Sequence, residues 1–238
     1  MPSKVYDSFD AAVADVPDGA SVMSAGFAGP GTPRNLLAAL VRHGAKRLTL
    51  IANTAGRWGD DRMDVSDVIR AGLVAKVIAS FTTSPHPSIK LAFDEMREKG
   101  LIEGELVPQG TLAERIRAGG AGIPAFYTPT GAETELAEGK EVRTFDGRAH
   151  VLETALRADY AIIRAHRADE LGNLQFRYTQ RNYGPIMARA ARVTIVEVDN
   201  PIEEAGAIEP DFVHVPGIFV DRMVVVGPDG IPELPPKR

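Results

Sequence analysis

The chain contains no cysteine, which excludes a disulfide framework, a thiolate metal site and a cysteine nucleophile from its 238 residues. Its five histidines, His43, His86, His150, His166 and His214, show neither His-x-x-His nor His-Glu-x-x-His spacing, so no metal site is expected. No stretch approaches the roughly 20 apolar residues that cross a bilayer. Residues 1–18 mix lysine and aspartate with alanine and hold no apolar signal core. There is no Asn-x-Ser/Thr acceptor and no Gly-x-Ser-x-Gly nucleophile elbow. The net charge is -5 and the basic residues are dispersed, so nothing forms the stripe that nucleic acid or a membrane surface requires. These absences point to the cytoplasm and away from nucleic acid as the main partner.

With 44% hydrophobic residues the chain can bury a full core. No internal repeat or low-complexity tract interrupts it, and a single domain over residues 1–230 is expected. The proline-rich end, Ile231 to Arg238, reads as a flexible tail. Apolar runs alternate with helical patterns, which predicts an α/β domain with an open, mostly parallel sheet and flanking helices. Strands are expected over Ser21–Ala25, Leu48–Ala52, Val74–Phe81, Glu105–Val107, Tyr160–Ala165, Leu174–Arg177, Val193–Val198 and Met223–Val226. Between them, Thr32 reads as an N-cap with Pro33 at the first helical position, and Leu36, Leu37, Leu40 and Val41 form one apolar face up to Gly44. Pro87 opens a second helix with Ile89, Phe93 and Met96 on one side and Gly100 as its stop; a late helix spans Pro185–Ala191. Asp146-Gly147, between Glu141–Phe145 and Arg148–Leu152, is a type I′ hairpin signal that makes the sheet locally antiparallel.

Three segments are candidates for chemistry. Gln109 stands between a strand and a helix predicted to start at Thr111, where Thr111-x-x-Glu114 forms a capping box. Free amides and the positive end of the dipole favour an anion there, although Gln109-Gly110 is also an ordinary tight turn. The helix is about two turns long, and the run Gly119-Gly120-Ala121-Gly122 ends it and permits close backbone approach. The second segment, Gly26-x-x-Gly29-x-Gly31, is neither a dinucleotide fingerprint nor a P-loop, since Pro33 stands where a lysine would help. It serves equally as a strand-to-helix turn or a ligand loop. Asn53 follows a strand end, where open α/β sheets place ligand contacts, and an Asx turn explains it as well. Other groups carry less: Glu133, Glu135, Glu138 and Glu141 read as a solvated face, and Phe126 and Tyr127 as core.

The wording of these segments extends a resemblance over essentially the whole chain. Leu106-Val107-Pro108-Gln109-Gly110-Thr111-Leu112-Ala113-Glu114-Arg115 through Ile123-Pro124 closely resembles the A-type, or alpha, half of the family I CoA-transferases. Asp18-Gly19-Ala20-Ser21, Gly26-Phe27-Ala28-Gly29-Pro30-Gly31-Thr32-Pro33, Asn53-Thr54-Ala55-Gly56, Arg181-Asn182-Tyr183-Gly184-Pro185-Ile186-Met187 and Pro216-Gly217-Ile218-Phe219-Val220-Asp221-Arg222 are similar to family segments in the same order. The Gly184-Pro185-Ile186-Met187 wording is nearer to bacterial members acting on 3-oxoadipate than to mammalian ones acting on acetoacetate.

The resemblance implies a NagB/RpiA/CoA-transferase-like fold and transfer of CoA between succinyl-CoA and a 3-oxo acid, with the CoA thioester as substrate and no permanently bound cofactor. The nucleophile implied is a glutamate in a Ser-Glu-Asn-Gly motif. That motif is absent here, so a B-type partner chain carrying it, in a hetero-oligomer, is implied. Gln109 is implied as the oxyanion donor, and Gly26, Phe27, Gly29, Gly31, Asn53, Gly119, Gly120 and Gly122 as substrate-binding walls. Ser24-Ala25, Thr54 and Arg57-Trp58 depart from the family pattern. Clearance beside the substrate is expected to be tighter, and Arg57 is expected to select an acyl group bearing a second carboxylate. Two alternatives stay open. One is a thioester hydrolase or ring-opening enzyme of the same fold with a base such as Glu105; the other is a non-catalytic protein that binds acyl-CoA.

Overall fold

The computed structural model describes residues 3–56, 62–84, 86 and 89–231. Helix α1 (Phe9–Val13), capped by the Ser8 hydroxyl, leads into β1 (Ser21–Ser24). Then follow α2 (Arg34–His43), β2 (Leu48–Thr54), α3 (Val65–Arg70), β3 (Val74–Phe81), α4 (Ala92–Glu98), β4 (Glu103–Leu106) and α5 (Gln109–Ala121). An excursion of β5 (Ala125–Thr128), β6 (Val142–Phe145) and β7 (Arg148–Thr154) interrupts the alternation. The chain resumes with β8 (Ala158–Ala165), a short ribbon of β9 (Arg167–Ala168) and β10 (Leu174–Gln175), α6 (Gly184–Ala190), β11 (Ala191–Val198) and β12 (Arg222–Val225).

Seven strands form one parallel sheet in the order β12-β11-β8-β1-β2-β3-β4. Its central strands are apolar runs because both faces are covered. Val22, Leu50, Val77 and Ile162 point to one side and pack with Leu36, Leu40, Val68 and Phe93 from α2, α3 and α4. Met23, Ile51, Ile78 and Ile163 point to the other and meet Leu112, Ile116 and Met187 of α5 and α6. The period-2 alternation of a strand thus feeds two separate cores.

The hairpin forms as expected at Asp146 (φ 49°) and Gly147 (φ 76°), pairing Phe145 with Arg148. It belongs to a separate antiparallel sheet in the order β5-β7-β6, because β7 also pairs with β5. Phe126 and Tyr127 lie on β5 and are half-buried there rather than in the core, since this small sheet has only partial cover. The strand expected over Leu174–Arg177 shortens to β10, which pairs with β9 and makes one further antiparallel bridge from Leu174 to Val215.

Helix starts depart from the sequence reading for tertiary reasons. α2 begins at Arg34, with Pro33 in the cap position and no side-chain cap. Its first amides, Asn35 N and Leu36 N, instead donate to the Glu197 carboxylate on β11 at 2.9 and 3.1 Å. α5 starts at Gln109, two residues before Thr111, since Leu112 N already bonds to Pro108 O at 2.8 Å. Thr111 is therefore buried in the first turn with its hydroxyl unpartnered, and Glu114 pairs with Arg117 rather than reaching back. The predicted capping box does not form. α5 also runs through Gly119 and Gly120 and ends at Gly122 (φ 74°), so it is nearly twice the expected length. α4 starts at Ala92, after Ile89; Pro87 and residues 232–238 lie outside the described residues.

Candidate active site

From β1 the chain steps outward through β2, β3 and β4, then returns to place β8 on the other side of β1 and steps outward again through β11 and β12. The carboxyl ends of β1 and β8 therefore flank a topological switch point, where open parallel sheets leave a crevice for ligands. The loop after β1, Asn53 near the end of β2 and Gln109 after β4 all lie at this end of the sheet.

The loop from Gly26 to Gly31 needs its glycines. Gly26 has φ +122° and a Cβ there would stand 2.5 Å from the Thr32 hydroxyl; Gly31 has φ +73° and a Cβ would stand 2.5 Å from Gln180 O. Phe27 N donates to Pro30 O and Arg34 Nη2 donates to Gly29 O, both at 3.1 Å, which folds the loop back on itself. The Phe27 ring is left 45% exposed. Asn182 secures the loop from across the switch point, accepting from Gly26 N at 3.1 Å and donating to Pro30 O at 3.0 Å. Beside the loop, Ser24, Ala25, Asn53 and Thr54 border a space of only about 30 Å³.

Asn53 is buried, and its Oδ1 accepts from Gln109 Nε2 at 2.7 Å. Gln109 is otherwise exposed. A carboxamide has two N–H groups, so this bond orients the side chain and leaves one donor for a ligand. The Tyr183 hydroxyl donates to Gln109 O at 3.5 Å, and burial holds it above the usual tyrosine range, so it stays protonated. Thr54, which departs from the family pattern, spends its hydroxyl locally on Gly56 N and O at 2.9 and 2.8 Å.

The glycine run of α5 lies elsewhere. Gly119 and Gly120 border a cleft of about 480 Å³ with Ser21, Ala158 and Ala191, the first residues of β1, β8 and β11, and so occupy the opposite end of the sheet from Gln109. Packing explains them: a Cβ on Gly119 would lie 2.1 Å from Leu156 O and one on Gly120 would lie 2.8 Å from Arg189 Cβ. Gly122 supplies only the left-handed helix stop. Gly119, Gly120 and Gly122, expected as substrate-binding walls, thus lie at the far end of α5 from Gln109. Arg57 lies outside the described residues.

Glu105, the base expected for a hydrolase, is engaged in two ion pairs that make it a weaker base. Its oxygens accept from Arg115 Nη1 and Lys76 Nζ, each at 2.8 Å. Burial pushes this carboxyl up, yet those two bonds outweigh it and hold it below the usual glutamate range. Among the described residues no group of three His, Asp or Glu side chains could hold a metal ion.

Sequence reasoning gave no role to a cleft of about 850 Å³ beside the glycine loop. Pro30 of the loop borders it, with His166, Asp199 and Asn200 at the ends of β8 and β11 and Arg177 and Tyr178 opposite. Arg164 is buried at its floor, bonded to Glu197 and Asp199 at 2.7 Å each. Burial lowers the His166 pKa despite the pull of Asp199, which favours the neutral ring. Charged residues inside β8 and β11 were the signal, since Arg and Glu in a fully buried strand require each other.

An open parallel α/β sheet with a glycine loop and the Gln109–Asn53 pair at the carboxyl ends of its strands defines the architectural class. A coenzyme A transferase family model matches residues 6–226. The chain is 47% identical over 226 residues to the A-type chain of 3-oxoadipate CoA-transferase from Pseudomonas putida, covering 95% of each. It is 47% identical over 224 residues to the A-type chain of succinyl-CoA:3-ketoacid coenzyme A transferase from Xanthomonas campestris pv. campestris, covering 94% of this chain and 89% of that one. The glutaconate coenzyme A-transferase structure from Acidaminococcus fermentans shares the fold, with TM-score 0.80 at 21% identity over 94% of this chain and 76% of that one. The chain belongs to the coenzyme A transferase family.

Proposed function

We propose that this chain is the A-type half of a 3-oxoacid CoA-transferase, working in the cytoplasm with a B-type partner and moving CoA between succinyl-CoA and a 3-oxo acid of the 3-oxoadipate or acetoacetate type. The observation that carries the site reading is the Gln109–Asn53 bond. It orients a primary amide with a donor to spare, through an Asn53 that borders the glycine loop, in a chain that lacks the family's Ser-Glu-Asn-Gly nucleophile. Phe27, Phe81 and Leu106 remain 45%, 43% and 50% exposed at the ends of the strands around this face. Apolar groups in such a position favour a partner lying over it.

In this reading the partner's glutamate carboxylate attacks the thioester carbonyl and the CoA thiolate leaves, forming a mixed anhydride. The thiolate then attacks the glutamyl carbonyl, the first acid departs, and a glutamyl-CoA thioester remains. The acceptor carboxylate repeats the two steps in reverse and carries CoA away. Each addition places negative charge on an oxygen, and a preoriented N–H stabilises that charge more than it stabilises the ground state. Gln109 supplies this donor, while Gly26, Phe27, Gly29, Gly31 and Asn53 hold the acyl group. No resident cofactor takes part.

Isolation of the chain from its own cells, with peptide identification of its companions, tests the partner. A stoichiometric protein carrying Ser-Glu-Asn-Gly is expected; a homo-oligomer alone refutes the split enzyme. In the two-chain enzyme, Gln109→Ala is expected to lower kcat about 100-fold or more, and a loss under about threefold removes Gln109 from the mechanism.

A further inference from the structure

The two halves of the site belong to strands at some distance from each other: the glycine loop follows β1, and Gln109 follows β4, with β2 and β3 between. Nothing in their local sequence fixes the distance between an acyl group on the loop and the amide of Gln109. The chain bridges that gap with two consecutive residues at the start of α6.

The Asn182 carboxamide is fully engaged. Oδ1 accepts from Gly26 N at 3.1 Å and Tyr183 N at 2.7 Å, while Nδ2 lies 3.0, 2.9 and 3.2 Å from Pro30 O, Thr179 O and Gln180 O. One side chain therefore holds the first amide and a late carbonyl of the loop together, as a backbone strand would. Gly31 presses against it so closely that a Cβ would lie 2.6 Å from Nδ2. Tyr183, next in sequence, is 6% exposed, and its hydroxyl makes a long 3.5 Å contact to the main-chain oxygen of Gln109 while also facing Ser80. Gln109 in turn is held from the far side by Asn53.

We propose that Asn182 and Tyr183 are positioning residues that set the loop and Gln109 at the separation transfer requires. Asn182 places the acyl-binding loop, and Tyr183 places the backbone that carries the oxyanion donor. This rests on the transferase reading of Gln109. A displacement of about 1 Å between a reacting group and its stabiliser costs on the order of 100-fold in rate. Neither residue touches the reacting atoms; both act through what they hold.

The test is a double-mutant cycle in the two-chain enzyme, following kcat and KM separately for succinyl-CoA and the 3-oxo acid. Asn182→Ala is expected to lower kcat about 100-fold while KM changes less than about threefold. In a Gln109→Ala background the same substitution is expected to lower kcat less than about fivefold, since misplacement relative to an absent donor no longer matters. Tyr183→Phe keeps the ring and every Asn182 bond, and is expected to lower kcat about fivefold, again only when Gln109 is present. It serves as the deciding variant if Asn182→Ala fails to assemble. Equal losses with and without Gln109, or losses confined to the urea midpoint, overturn the proposal. A Gln109→Ala enzyme of near-normal rate would instead overturn the underlying site reading, independently of Asn182.

Discussion

Gly119→Ala separates a packing glycine from a site glycine. The new methyl would stand 2.1 Å from Leu156 O, 2.9 Å from Leu156 C and 3.1 Å from Arg157 Cγ. The first two are backbone atoms and cannot rotate away, so α5 must move by about 1 Å or more from the segment leading into β8, given the usual van der Waals separation. That shift strains two hydrogen bonds, Leu156 N to Arg115 O at 2.8 Å and Arg157 Nε to Gly119 O at 2.9 Å. Overpacking costs about 1–3 kcal/mol and weakening the two bonds about 1 kcal/mol each, against a gain of about 1 kcal/mol from replacing glycine within a helix. The net is a loss of about 2–4 kcal/mol, or roughly 4–16 °C in thermal midpoint for a chain of this size. Gly122→Ala is the control, with nothing within 4 Å and only its φ of +74° to strain, so it should lose about 1–2 kcal/mol. Ten residues separate Gly119 from Gln109, roughly 15 Å along the helix, so the folded variant is expected to keep its KM values and most of its kcat. Differential scanning calorimetry with steady-state kinetics of the two-chain enzyme provides both readouts. An unchanged midpoint, or full stability with KM raised about tenfold, would refute the packing argument and return Gly119 to the substrate site.

Gly31→Ala should behave differently, losing both midpoint and kcat, because its methyl would strike Gln180 O at 2.5 Å and Asn182 Nδ2 at 2.6 Å; a variant with lowered midpoint but wild-type kcat would contradict the rigid-loop account. Burial raises the Glu197 carboxyl from 4.5 to about 7, against the pull of Arg164 and of the Leu36 and Asn35 groups. Its contribution to stability is therefore fully present below about pH 4.5 and lost as pH rises through about 7, by up to roughly 3 kcal/mol. Urea unfolding at about pH 5.5 and about pH 8, on either side of that titration, should show this loss in the native chain and not in Glu197→Gln; identical slopes with pH would remove the effect. Glu105, held low by Arg115 and Lys76 despite burial, contributes in the opposite sense, with stability present above its unfolded value and lost as pH falls through its lowered one. Lys76→Met should diminish that acid-side loss in the same urea series, and an unchanged acid limb would count against it. Arg57→Ala is expected to retain rate with acetoacetate while losing preference for a dicarboxylic 3-oxo acid, read from the kcat/KM ratio of the two acids; an unchanged ratio ends that role.

The sequence by itself determined the alternation of strands and helices, the hairpin at Asp146-Gly147 and the stop of α2 at Gly44. These follow from local causes: period-2 and period-3.6 burial, and residues that accept a positive φ. It also placed Gln109 after a strand and Asn53 at a strand's end, although β2 runs on through Asn53 to Thr54, and in a parallel sheet this sets both at one end. Tertiary structure decided what lies beside what. Thr32 and Thr111 both looked like N-caps, yet the amides of α2 were taken by Glu197 from β11, and α5 began before Thr111 could cap it. Gly119 and Gly31 are the same residue type in similarly glycine-rich runs, but one packs α5 against the sheet's amino end while the other presses the loop after β1 onto Asn182. Strand order is the physical reason: a contact between residues as far apart in the chain as Asn182 and Gly26 exists only once β8 has inserted beside β1. Local propensity carries no information about that insertion, and the arrangement of the site follows from it.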